Sequence, residues 1–280
     1  LAYSQFMRNS ASNFLSLFLD SGLEENALVK QAANVILSSK GQVSDEIFSR
    51  HRFLIREANP AIRVLVGSYR DAQSKVNRLY VRGPDKDHLE GYLSGLDSLN
   101  EQKERLESEL ASLSSSFRRE QAFRKVEMEK IIKLLPERSV LIEYLLYERM
   151  SRQGQREPYY LALVLDSKGA FKVIDLGPAE KIDSDVARYR NHFLKISSGG
   201  ASPKSSDMER YREIASELYK LVWKPFEDRV DEANLVFVAP DGALNMVSFA
   251  GLMDEQGEYL VQSYPIHYLS AGRDLLTLKY

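Results

Sequence analysis

A chain of 280 residues has room for about two domains of about 100–200 residues each. Hydrophobic residues at 44% and charged residues at 28% describe an ordinary globular composition, and a net charge of −2 gives no electrostatic reason to expect nucleic acid. No apolar run approaches the roughly 18–20 residues that cross a bilayer. The absence of cysteine excludes disulfides, thiolate metal sites and a cysteine nucleophile within these residues, and favours a cytoplasmic setting.

The chain opens on Leu1-Ala2-Tyr3, with neither Met nor a signal-peptide pattern, and is read as a fragment of something longer. Residues 1–58 read as helical, with a break at Ser21-Gly22. Ala27, Leu28, Ala32, Val35 and Ile36 recur at helical spacing up to Gly41, and Ser44-Asp45-Glu46 opens a further helix through Ile55. Helix pairs of this size suggest the end of a tetratricopeptide-like array.

Asn59-Pro60 is a helix start, with Asn as the cap and Pro in the first turn. Ile62, Leu65, Tyr69, Ala72, Val76 and Leu79 follow steps of three and four, and Arg82-Gly83-Pro84-Asp85 turns the chain. Leu89, Tyr92, Leu96, Leu99, Lys103, Leu106, Leu110, Leu113 and Phe117 then keep the same rhythm, with Lys103 the one exception. This is the periodicity of a long antiparallel coiled-coil hairpin, and residues 59–135 are assigned to it. Phe123–Leu135 reads as one more amphipathic helix, closed by Pro136.

Composition changes there, and residues 136–280 read as α/β. Ser139–Tyr147 (SVLIEYLLY), Tyr159–Asp166 and Phe171–Leu176 are expected strands, the last two joined by a turn at Asp166–Gly169. Pro178–Ile196 is expected to be helical, Ser197–Ser206 a flexible loop, and Met208–Val230 a helix ended or kinked at Pro225. Leu235–Ala239 (LVFVA) lacks alternation, as a strand covered on both faces does. The overall expectation is an α/β fold with an N-terminal all-α region: helical pairs, the hairpin, then a partial mixed sheet.

Candidate chemistry is sparse. His51, His88 and His192 lack partners at metal spacing, and His267 is expected as a buried or half-buried strand residue. There is no Gly-x-Ser-x-Gly and no phosphate loop. The acidic pairs Glu24-Glu25 and Asp231-Glu232 sit at helix ends, where carboxylates favour the dipole or cap the helix. No cofactor and no metal are called for. Pro240-Asp241-Gly242 turns the chain at the C-terminal end of a buried strand, where open α/β sheets place ligands. Gly272-Arg273-Asp274 opens the next helical segment. Asp241 and Arg273 are therefore the candidate substrate-binding residues, against the plainer readings that Asp241-Gly242 only turns the chain and that Arg273 pairs with Asp274 or a carbonyl.

VAPDGALNMVSFAGL (238–252), EYLVQSYPIHYLSAGRDLL (258–276), SVLIEYLLY (139–147) and ELYKLVWKPFED (217–228) together resemble the CHAT family, caspase-like peptidase domains attached to tetratricopeptide repeats. The likeness runs over residues 59–280; Ser248 departs from it, standing where the family often has Pro. The resemblance implies a caspase-like fold and a cysteine-peptidase parent. It also implies that the catalytic His, in a His-Gly motif, and the catalytic Cys lie beyond the Gly-Arg-Asp helix, so no catalytic residue carries over. The expectation is a non-catalytic part of such a protein: scaffold, half of a sheet and a partner-binding arm. Its partner would be another protein or the missing C-terminal half of the domain, with self-association through an open strand edge, and with no nucleic acid or membrane. A natural pseudo-enzyme interaction module is the alternative reading, and a small-molecule hydrolase using Asp241 and Arg273 a further one.

Overall fold

The structure, a computed structural model, describes residues 2–21, 26–40, 59–82, 89–113, 126–151, 154–198 and 204–276. The expected helix at Ser44–Ile55, the turn at 83–85, the positions Phe117 and Phe123, His51, His88 and Glu24-Glu25 lie outside them. The chain divides into two compact units, residues 1–10 with 41–125, and residues 11–40 with 126–280.

Helix α1 (Ala2–Ser21) falls in the first unit up to Ser10 and in the second from Ala11; α2 (Asn26–Ser39) lies wholly in the second. The first unit contains α3 (Pro60–Arg82) and α4 (Leu89–Leu113). Asn59 caps α3, its Oδ1 accepting from the Ala61 N–H at 3.0 Å. Ile62, Val66 and Tyr69 from the start of α3 pack with Leu106 and Leu110 from the end of α4. At the other end Gly95 approaches Leu79, so the two helices run antiparallel.

The second unit holds α5 (Met128–Ile132), β1 (Ser139–Met150), β2 (Arg156–Asp166), β3 (Phe171–Pro178), α6 (Ala179–Ser198), α7 (Ser205–Val222), α8 (Glu227–Val230), β4 (Leu235–Ala239), α9 (Leu260–Ser263) and β5 (Ile266–Tyr268). The five strands form one mixed sheet in the order β3-β2-β1-β4-β5, antiparallel on the β3-β2-β1 side and parallel from β1 to β5. The Asp166–Gly169 turn forms as its residues demand. Asp166 Oδ1 accepts from the backbone of Lys168 and Ala170 at 2.9 and 2.8 Å, and Gly169 takes φ 90°.

Both faces of the sheet are covered, which is why β1 and β4 read as almost unbroken apolar runs. Even-numbered β1 residues Val140, Ile142 and Tyr144 face a core closed by α6, α7 and Trp223. Odd-numbered Leu141, Leu145 and Tyr147 face a second core closed by Leu15 of α1, Ala33, Ile36 and Leu37 of α2, and Ile131 of α5.

Four expectations change. The helix expected at Phe123–Leu135 is confined to Met128–Ile132 among the described residues, because Glu127 is extended (φ −106°, ψ 133°) and the backbone tightens to Ile131 O at Leu134. The loop expected at Ser197–Ser206 is helical at 197–198 and from 205, and residues 199–203 lie outside the described set. The Gly-Arg-Asp segment is a 3₁₀ turn, Gly272–Leu276. His267 is exposed, since β5 is the outermost strand; its ring meets the edge of Phe237 at 5.5 Å.

Candidate functional site

Strands β1, β4 and β5 run parallel, so their C-terminal ends lie along one edge of the sheet. This is the edge where open α/β sheets bind ligands, at helix-free ends of strands whose carbonyls and loops converge. The turns after β4 and β5 both return to β1 there.

The first is Pro240-Asp241-Gly242. Strand β1 outlasts β4: β4 pairs only with residues 139–143, and the β1 backbone beyond needs other partners. Asp241 Oδ2 accepts from the Leu146 N–H at 2.9 Å, while Ser12 and Ser16 of α1 accept from Glu148 and Met150 at 3.3 and 3.0 Å. A carboxylate and two hydroxyls thus continue the ladder that a strand would otherwise complete. The other Asp241 oxygen accepts from Gly242 N at 2.9 Å, and Gly242 takes φ 54°. Beside it, Tyr160 Oη donates to Asp183 and accepts from Ala243 N at 2.8 Å.

The second is the turn that follows β5. Asp274 Oδ2 accepts from Ala271 N at 2.9 Å, closing the turn, and Arg273 is only 5% exposed. The Gly272 N–H donates to Glu143 Oε2. A Cβ on Gly272 would lie 2.6 Å from Leu141 Cδ2 and 3.2 Å from Leu37 Cδ2, and would strike the Glu143 carboxylate. Glycine is required here for close approach.

Glu143 sits in the middle of β1 at 0% exposure. Its Oε1 lies 3.6 Å from Lys40 Nζ, at the end of α2, and that ammonium donates to Ala239 O, the last carbonyl of β4, at 2.6 Å. Burial pushes the Glu143 carboxyl up to about 7, against the opposing pull of Lys40 and of the Gly272 N–H. Burial likewise pulls Lys40 below its ordinary range, opposed by Glu143 and Asp241.

The two sequence candidates therefore lie on the same edge, each in a turn tied back to β1. Both Asp241 oxygens already hold backbone N–H groups, and Arg273 is buried. Sequence reasoning missed Glu143 and Lys40. Glu143 carried a signal, a lone charge inside SVLIEYLLY, whereas nothing in the sequence near Lys40 connects it with β1. His192 Nε2 lies 2.8 Å from the Asp207 carbonyl, tying α6 to the start of α7. Asp231 accepts from Tyr264 Oη at 3.1 Å, a structural use. A cavity of about 150 Å³ opens among Asp20, Arg149, Met150, Ser151, Glu157 and Tyr159. Its arginine is committed to Asp20 and Asp175, each at 2.6 Å, and lies 5.0 Å over the Tyr159 ring. Among the described residues no group of three or more His, Asp or Glu is placed to hold a metal ion, and no helix is long and apolar enough to cross a membrane.

A mixed α/β sheet flanked by helices, with its loops gathered at the C-terminal edge of the parallel strands, defines the class of this unit. Residues 212–280 match the family model of the CHAT domain, which associates this part of the chain with a caspase-like, peptidase-related family. The match takes in most of α7, then β4, β5 and the turns carrying Asp241 and Arg273; Glu143 and Lys40 lie outside it. No curated protein matches the chain.

Proposed function

We propose that this chain is the frame of a caspase-like, peptidase-related site and not its nucleophile. It contributes the central strands, the walls that Asp241 and Arg273 build, and a helical arm that includes α3 and α4 and binds a partner in the cytoplasm. The observation that carries this reading is the cross-linking of the turns after β4 and β5 onto β1, through Asp241 and Glu143, in a chain without cysteine. A caspase-like reaction needs a thiolate activated by a neighbouring histidine, and these residues offer no thiol.

The outer edge of β5 is the place where the frame takes what it lacks. Pro265 O and Leu269 N both bond to β4, which turns the backbone groups of Ile266 and Tyr268 outward. Among the described residues no strand pairs there, and Tyr268 is 45% exposed. Such an edge recruits another strand. The strand comes from a partner protein, from the C-terminal half of the domain or, when neither is present, from a second copy of the chain.

Size-exclusion chromatography with light scattering tests this on the 280-residue chain of 32.0 kDa. The expected result is a species above monomer mass. Tyr268→Pro removes an outward N–H without touching the β4 bonds, and is expected to restore the monomer. A monodisperse wild-type monomer at high concentration overturns the edge-pairing role.

A further inference from the structure

The Lys40–Glu143 pair is buried, and burying it is costly. Two buried charges lose their hydration, and their attraction offsets that only when hydrogen bonding is complete. Glu143 Oε1 accepts no hydrogen bond and stands 3.6 Å from Lys40 Nζ. Replacing a buried ion pair by apolar side chains of similar volume is often neutral or stabilising. What the pair achieves is connection. Lys40 joins the end of α2 to the last carbonyl of β4, and Glu143 joins the centre of β1 to the turn after β5. The charged groups that act on the pair come from the turns after β4 and β5. Arg273 and Asp274 act on Glu143 from the turn, and Asp241 and Asp274 act on Lys40. After the Glu143 carboxylate, the nearest side chains to a Cβ at Gly272 are the apolar Leu141 and Leu37.

We propose that Lys40 and Glu143 form a buried, proton-sensitive latch that seats the turn 269–276 on the C-terminal edge of the sheet, and so positions the edge on which Asp241 and Arg273 lie. The latch rests on these contacts together with the burial of the two charges, and stands whether or not the chain frames a peptidase site.

Its direction follows from which state holds the proton more tightly. With the turn seated, the Glu143 carboxyl titrates at about 7; lifted into water it returns towards its ordinary 4.5. Protonation therefore favours the seated turn. That advantage is complete below 4.5, is withdrawn as pH rises between the two values, and is gone above 7. Lys40 works in the opposite sense in alkali. Its seated value lies below 10.5, so rising pH between the two favours the seated turn again. The grip is weakest in the interval between these windows.

Hydrogen exchange read by mass spectrometry on the whole chain, between about pH 5 and 8 and corrected for intrinsic rates, tests the latch. Peptides from β2 serve as the reference for global opening. Opening of 269–276 is expected to increase at least about tenfold between about pH 5 and 7, since one unit of difference between the two states is tenfold. Glu143→Gln keeps an oxygen for the Gly272 N–H and removes the titration, so its profile is expected to be flat. Lys40→Met removes the counter-charge, lets the carboxyl climb, and is expected to carry the rise to higher pH. A pH-independent turn in the wild type, or a Glu143→Gln profile matching the wild type, overturns the proposal. Should either variant fail to fold, carbon-13 titration of the wild-type glutamate carboxyls decides. One midpoint near 7 is expected, and a set lying wholly below about 5.5 overturns the latch.

Discussion

The two faces of one sheet solve the problem of buried polarity in opposite ways. On the face closed by α6 and α7, the polar atoms are mostly the tips of aromatic side chains, and three tyrosine hydroxyls end on backbone carbonyls. Tyr144 Oη donates to Val222 O at 2.6 Å, Tyr189 to Ser248 O at 3.2 Å and Tyr211 to Gly251 O at 2.8 Å. Rings fill the space between, Tyr144 stacking on Phe249 at 5.2 Å and Trp223 meeting Phe226 and Tyr264 at 5.9 and 5.8 Å. The face closed by α1, α2 and α5 is mainly aliphatic, with Phe237 and Tyr147 as its buried rings, and within it lie two formal charges. Neutral hydroxyls bonded to backbone are inexpensive to bury and hold elements rigidly, whereas a buried ion pair holds them at a cost that depends on pH. The first face holds the larger buried core, and the second holds the proposed latch, along the edge where the candidate site lies.

The sharpest way to break that contrast is on the aromatic face. Trp223 is fully buried, and Trp223→Ala is expected to cost about 3–5 kcal/mol in chemical denaturation, from lost burial and the cavity left behind. A cost below about 1 kcal/mol would show that this face does not dominate stability. Trp223→Phe is expected to be far milder, because the indole N–H has no hydrogen-bond partner to lose. The next effect lies on the charged face. Gly272→Ala pushes a methyl group against Leu141, Leu37 and the Glu143 carboxylate, and is expected to cost about 1–3 kcal/mol, the range for overpacking a filled site. A neutral result would mean that the turn is not held this close to β1.

The contrast also separates what the sequence disclosed from what it withheld. LVFVA gave β4 to the residue, because a strand covered on both faces writes an uninterrupted apolar run. SVLIEYLLY gave the start of β1 and not its extension to Met150. Beyond Tyr147 the residues are Glu148 and Arg149, and what keeps them extended is pairing with β2 together with Ser12 and Ser16, contacts between distant parts of the chain. The aromatic face was legible because its apolar residues recur along α7 at helical spacing and β1 is an almost unbroken apolar run. The latch was not. Glu143 marked itself by interrupting an apolar strand, but Lys40 follows an unremarkable helix, and Gly272 resembled a helix start when its real constraint is contact with β1. Asp241 was singled out because a turn after a buried strand is a local pattern, and Arg273 because Gly272-Arg273-Asp274 reads as a helix start. That Asp241 would spend both oxygens on backbone N–H groups depended on β1 outlasting β4, which no local pattern records.

Asp241 supplies the smallest of these effects and the finest test, because its two oxygens do separate work. One holds the Leu146 N–H, where the ladder beyond β4 would otherwise be open, and the other holds Gly242 N. Asp241→Ala removes both and is expected to cost about 1–2 kcal/mol, close to two ordinary hydrogen bonds, since Leu146 is solvent-exposed and water takes up part of the loss. Asp241→Asn retains one acceptor and turns an N–H₂ towards the other donor, so it is expected to lose about half as much. Amide exchange locates the loss. Protection should fall at Leu146 or Gly242 in the asparagine variant and at both in the alanine variant, while the Gly272 turn, anchored by Glu143, keeps its own. If Asp241→Ala instead loosens 269–276 as much as Glu143→Gln does, the two turns form a single mechanical unit, and the division of labour between the faces moves from the sheet to its edge.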